Sequence, residues 1–169
     1  MFNFPKLIPA FTVRVHLGTV SPLGALANGQ TQVHASFLEN EGGIVSEGSY
    51  PLRLDAAFRH GSDFLRFDPG GARARLEVTS VLCDKNTEAV VRFDYTGVVD
   101  VTGPAGKVLN AAPDAKTTDF GDAFTHVKLS SGHDSLKDLE NKVYVGSGRF
   151  IVEQGKPVVV EYKISEVVA

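Results

Sequence analysis

The stretch "RLEVTSVLCDKNTEAVVRFDYTGVV", Arg75–Val99, decides the fold class. Its first part sets Leu76, Val78, Ser80 and Leu82 against Glu77, Thr79 and Val81. Its last part sets Val91, Phe93 and Tyr95 against Arg92, Asp94 and Thr96. Side chains alternate across a strand with a period of two, so each part reads as a half-buried strand. Between them, "DK" at 84–85 followed by Asn86 is hairpin-turn chemistry.

The same alternation recurs on both sides. "FTVRVHL" places Phe11, Val13, Val15 and Leu17 on one face, and "PLRLDAAFRH" places Leu52, Leu54, Ala56 and Phe58 on one face. "KPVVVEYKISEV" alternates Val158, Val160, Tyr162 and Ile164 with Val159, Glu161, Lys163 and Ser165. Turn signals separate the runs: "NG" at 28–29, "GG" at 42–43 and 70–71, and "EQGKP" before the last strand. Gly146 and Gly148 sit in strand-like sequence, where glycine relieves crowding at a crossing or bulge. "HDSLKDLENK" predicts one to three helical turns, with Asp134 or Ser135 as the cap. Residues 102–121 read as a long loop with a short helix at "GKVLNA". Many antiparallel strands and one or two short helices predict an all-β chain, a sandwich or a closed antiparallel barrel. The expected organisation is one domain over residues 1–169, with residues 1–9 as an N-terminal arm.

Composition narrows the function classes. A formal net charge of -3, with no run of Lys and Arg longer than two, lacks the basic footprint of nucleic-acid or anionic-membrane binding. The single cysteine, Cys83, cannot build a disulfide framework or a cysteine-rich zinc site within one chain. No segment has the length of a membrane span, and "MFNFPKLIPAF" lacks an apolar signal-peptide core, so the cytoplasm is the expected compartment. GxGxxG, GxSxG, HExxH and P-loop motifs are missing, and the five histidines form no helical metal pair. Neither a cofactor nor a metal is expected.

The order "VVRFDYTGVVD", "KTTDFGDAFTHVKLSSG", "LKDLENKVYVGSGRF" and "KPVVVEYKISEV", preceded by "FTVRVHLGTVSPLG" and "HGSDFLRFDPGG", resembles domain-of-unknown-function family 3237, also labelled uncharacterised protein family 0311. The likeness runs from about Leu7 to Val167 and is nearest the short fungal-type members. Phe64 stands where the family often has Trp, and "KLSSG" replaces a common "FET", so the carboxylate at that place is missing. The resemblance implies a lipocalin- or calycin-like antiparallel β-barrel of unassigned general function. It also implies a ligand or substrate of modest size.

Candidate site residues follow from chemistry. Asp63 beside His60 would orient the imidazole and stabilise its cation, which suits acid–base work near neutral pH. The alternative is a turn in which Asp63 binds a backbone N–H and His60 stays half exposed. Tyr95 and His126 are further catalytic candidates, since either can polarise an oxygen. Arg92 and Asp94 face either a polar ligand inside the barrel or solvent outside, and the rarity of buried charge favours solvent. Phe64 and Phe124 complete the expected ligand contacts. The expected function is a cofactor-independent isomerase, cyclase or lyase acting on a small hydrophobic specialised metabolite. A non-catalytic carrier barrel and a structural subunit of a homo-oligomer are the competing readings.

Overall fold

A computed structural model of the chain describes residues 2–169. The Arg75–Val99 hairpin is present as β5 (Arg73–Asp84) and β6 (Val90–Asp100), paired antiparallel from Arg73↔Asp100 to Cys83↔Val90. The other strands are β1 (Lys6–Ala25), β2 (Thr31–Phe37), β3 (Gly43–Ser46), β4 (Asp55–Phe67), β7 (Ala123–Ser130), β8 (Tyr144–Ile151) and β9 (Val159–Val168). Every pairing is antiparallel, and β9 returns to β1, which closes the sheet on itself. β2 and β3 share one place in the wall: β3 fills it beside Phe11–Arg14 of β1, and β2 fills it beside Leu17–Ala25. On the other side both pair with β4, at different heights. The nine strands therefore make an eight-place barrel, a size that side chains fill or that holds one small ligand.

The alternation seen in the sequence becomes the inside–outside pattern. Phe11, Phe58, Phe93, Val13, Leu82 and Val91 are fully buried in one core. Outside, cross-strand charges pair. Glu161 lies between Arg14 and Arg149, accepting from their Nε atoms at 2.7 and 2.9 Å. Burial opposes ionisation of Glu161 most strongly, but the two guanidiniums hold its carboxyl below the usual range.

Three expected boundaries shift. The N-terminal arm is strand from Lys6 onward, since Lys6–Pro9 pairs with Ser165–Val168. The register slips between Pro9 and Phe11, where proline has no N–H to give the ladder. The short helix of the long loop, α1, spans Pro104–Leu109, two residues earlier than "GKVLNA", because Pro104 is suited to the first helical turn. "HDSLKDLENK" forms only a 3-10 helix at Lys137–Asn141. Leu136 and Leu139 lie three apart and are both 1% exposed, a spacing that a three-residue turn brings to one face.

The two barrel ends differ. At one, Leu136, Leu139, Tyr50 and Leu54 pack as a plug. At the other, α1 lies beside an apolar cavity.

Candidate active site

The geometry of β4 decides which side chains enter the barrel. Phe58 pairs with Leu82, but the next partnered residue, His60, pairs with Val81, so Arg59 is an extra residue in the strand. Such a bulge reverses the side-chain parity. Before it, Ala56 and Phe58 point inward; after it, Gly61, Asp63 and Leu65 do. Antiparallel partners share a face, and Asp63 pairs with buried Val78 and buried Ala35. His60 pairs with Val81, which is exposed. His60 and Asp63 therefore lie on opposite sides of the wall, and the expected dyad is not formed. Gly61 pairs with buried Ser80, and a Cβ there would lie 2.4 Å from the Phe37 ring, so the inward place has room only for glycine.

Inside, Asp63 Oδ1 accepts the Glu77 N–H at 2.9 Å. Burial pushes the Asp63 carboxyl up to about 6, and the Glu77 backbone bond only partly offsets this. Its charge also reaches two phenols. Tyr95 on β6 and Tyr162 on β9 meet edge to face, with ring centroids 5.1 Å apart, and are 5% and 3% exposed. Burial raises both phenols above their ordinary value; each interacts with the other, and Asp63 adds to the rise. Tyr162 crosses β8 at Gly148, where a Cβ would stand 2.5 Å from its ring.

Beside this group lies an apolar cavity of about 660 Å³ at the α1 end. Leu17, Val33, Ala35, Leu65, Val108 and Val158 are among its lining residues, and no ionisable side chain lines it. Ala35, the strand partner of Asp63, and Leu65, the next inward position on β4, line the cavity, while Asp63 itself does not. A larger recess of about 740 Å³ lies beside α1, between it and residues 112–117; Lys107, Asp114 and Lys116 line it, and none of the inward acid–base groups does.

Of the expected residues, Asp63 and Tyr95 are brought together in the interior. The others face outward. Arg92 Nε donates to Asp94 Oδ2 at 2.7 Å on the exposed side of β6. His126 pairs with exposed Thr96, and Phe124 is 59% exposed. Phe64 is 41% exposed and packs against the His34 ring at 4.8 Å. Replacing His60 or His126 by Ala is expected to shift stability by less than about 0.5 kcal/mol and to leave ligand binding unchanged, as urea unfolding and ligand titration would show. Tyr162 was legible only as a core tyrosine; Gly148 leaves the room in which its ring reaches Tyr95. Among the described residues, no three His, Cys, Asp or Glu side chains gather as a metal site, and no helix is long and apolar enough to cross a membrane.

Solved structures share this architecture. A conserved protein of unknown function from Rhodopseudomonas palustris matches with TM-score 0.73 and 20% identity, over 98% of this chain and 99% of its own. A beta-barrel like protein from Acinetobacter baumannii matches with TM-score 0.70 and 17% identity, over 99% of each chain. A protein with unknown function from Clostridium acetobutylicum matches with TM-score 0.70 and 11% identity, over 98% of this chain and 99% of its own. No functionally curated protein matches the sequence. The model of the family described as "Protein of unknown function (DUF3237)" matches residues 5–167, and by that near-complete match the chain belongs to the DUF3237 family.

Proposed function

We propose that the barrel is a cofactor-independent acid–base enzyme for a small, uncharged, mostly apolar molecule. The observation that carries the reading is the inward Asp63 carboxyl, whose charge acts on two buried phenols and whose strand partner Ala35 lines an apolar cavity. A carboxyl shifted toward neutrality is a stronger base than an ordinary one, and cycles its proton readily near neutral pH. The reaction class is isomerisation, cyclisation or elimination. In an isomerisation, Asp63 takes a proton from carbon beside a carbonyl, the C–H electron pair becomes a C=C bond and the carbonyl π pair moves to the oxygen. The Tyr95–Tyr162 pair donates a hydrogen bond to that oxygen, and the proton returns at another carbon. The apolar lining supplies the water-poor setting in which such hydrogen bonds are strong. With no cationic side chain at the lining, carboxylates and phosphates are disfavoured.

A carrier is the second reading, favoured by the absence of ionisable groups from the cavity lining itself. Two measurements separate them. Nile red, a neutral apolar fluorophore, is expected to bind the protein and to lose binding at least about tenfold in Val158→Trp, which fills the cavity mouth. In a metabolite extract followed by mass spectrometry, the wild type is expected to convert a bound compound. Asp63→Asn is expected to slow that conversion by about 10²–10⁴-fold while keeping Nile red binding. Bound compounds that emerge unchanged, or equal conversion by Asp63→Asn, would sink the catalytic reading.

A further inference from the structure

The outer wall of the barrel is not uniform. Around most of it charges pair across strands: Glu161 sits between Arg14 and Arg149, Asp68 takes Arg75, and Asp94 takes Arg92. A groove of about 350 Å³ that crosses β6 to β9 and the start of β1 has a different character. Leu7, Val98, Phe124 and Val145 line it, and Lys163 and His126 are the ionisable side chains among its lining residues. Register turns these apolar side chains outward: Phe124 pairs with exposed Val98 on one side and with Ser147 on the other, and Leu7 pairs with Val167. Lys163 is already engaged, donating to Thr12 Oγ1 at 2.6 Å and lying 3.5 Å from Glu47.

The chain just before Leu7 is apolar as well. Phe2 and Phe4 are 92% and 64% exposed, so neither ring is packed on its own barrel, and Leu7 begins the groove a few residues later. With Leu7, Val98 and Phe124, the two rings expose roughly 600 Å², taking an aromatic side chain at about 150–250 Å². A standard stable interface takes about 800 Å² from each partner, a little over half of it apolar, so the supply matches what a dimer needs. Charge selects the occupant. A groove with one engaged lysine offers a nucleic acid or a charged peptide little to pair with, whereas a near-neutral face meets a second copy of itself without repulsion. We propose that this face is a homodimer interface in which Phe2 and Phe4 of each copy enter the groove of the other. A two-fold axis beside Leu7 makes the contact reciprocal, each copy giving one arm and receiving one. The groove shares no lining residue with the apolar cavity at the α1 end, so the interface stands apart from the proposed chemistry.

The test is solution mass by light scattering at concentrations from about 1 to 100 µM, the range in which an interface of this size dissociates. The wild type is expected to reach twice the chain mass at the upper end and to dissociate on dilution. Phe124→Glu is expected to weaken the dimer at least about 100-fold, because it would bury an unpaired charge at the centre of the contact. Phe2→Ser combined with Phe4→Ser is expected to weaken it at least about tenfold. All three side chains are exposed in the single copy, so both variants are expected to keep the wild-type circular dichroism and a cooperative melt. A wild type that stays monomeric throughout the series overturns the proposal and leaves the face to another partner or to none. A dimer that Phe124→Glu does not weaken overturns this face as the interface, and one that survives loss of both rings overturns the exchange of arms. None of these outcomes touches Asp63 or the α1-end cavity, so the catalytic reading stands or falls by its own measurements.

Discussion

Asp63→Asn is expected to stabilise the protein at about pH 8 by roughly 1–3 kcal/mol, and by less than about 1 kcal/mol at about pH 4. The reason lies in the sign of the Asp63 shift. Its carboxyl titrates at about 6 in the fold against an ordinary 3.8, with burial as the main cause. The folded chain therefore holds the proton more tightly than the unfolded one. Below the unfolded value both states are protonated, and Asp63 costs nothing. As pH rises from there through about 6, folding must bury a charge, and stability falls; above that window the loss is constant. At 1.36 kcal/mol per unit, the whole penalty is about 3 kcal/mol, and asparagine avoids it while its Oδ1 still accepts the Glu77 N–H. Urea unfolding of both proteins across this range measures the difference. A gain that is equal at all pH values would show that Asp63 is not charged inside the barrel. Stability gained together with turnover lost is the expected mark of a side chain kept for chemistry rather than for folding.

The same residue shows where sequence reading succeeds and stops. Period-two alternation is a local consequence of strand geometry, so β5, β6, β9 and the middle of β1 were legible from apolar spacing alone. β2 and β3 were not, because "GIVS" is four residues long and "TQVHASF" carries polar residues on both faces. Alternation counts residues and is blind to a bulge. Carried on from Phe58, the parity that faces the core would take His60 inward and Asp63 outward. The extra residue at Arg59 reverses both. Thus Asp63 points inward and His60 outward, and the expected pairing of the two does not form. Tyr95 was assigned to the face of Val91 and Phe93, and no bulge on β6 disturbs that. Tyr162 reaches Tyr95 past Gly148 on the neighbouring strand, a relation that only the register of β8 to β9 reveals.

The second large effect belongs to the plugged end. Glu166→Ala is expected to cost about 2–4 kcal/mol at neutral pH, and Glu166→Gln less. Glu166 Oε2 accepts the Tyr50 hydroxyl at 2.6 Å, and Oε1 accepts Lys142 at 2.9 Å. The Tyr50 hydroxyl also meets Tyr144 Oη at 2.8 Å, and all three residues are buried. Removing the carboxylate leaves the Tyr50 hydroxyl without its charged acceptor in the core, while Lys142 can turn toward Asp138, 3.5 Å away. That escape keeps the loss below the upper range for a buried ion pair. Burial works against the charged form of Glu166 most strongly, yet the Tyr50 and Lys142 bonds hold its carboxyl below the ordinary value. Its contribution is therefore present above the unfolded carboxylate value and fades as pH falls through the lower folded one. Asp63 and Glu166 thus carry opposite pH signatures on one barrel. The carboxyl beside the open cavity destabilises the neutral-pH fold, and the carboxyl in the plug stabilises it. Denaturation of Glu166→Gln and Asp63→Asn over the same pH series is expected to give curves that diverge from the wild type in opposite directions. Parallel curves would remove the division between a chemical end and a structural end.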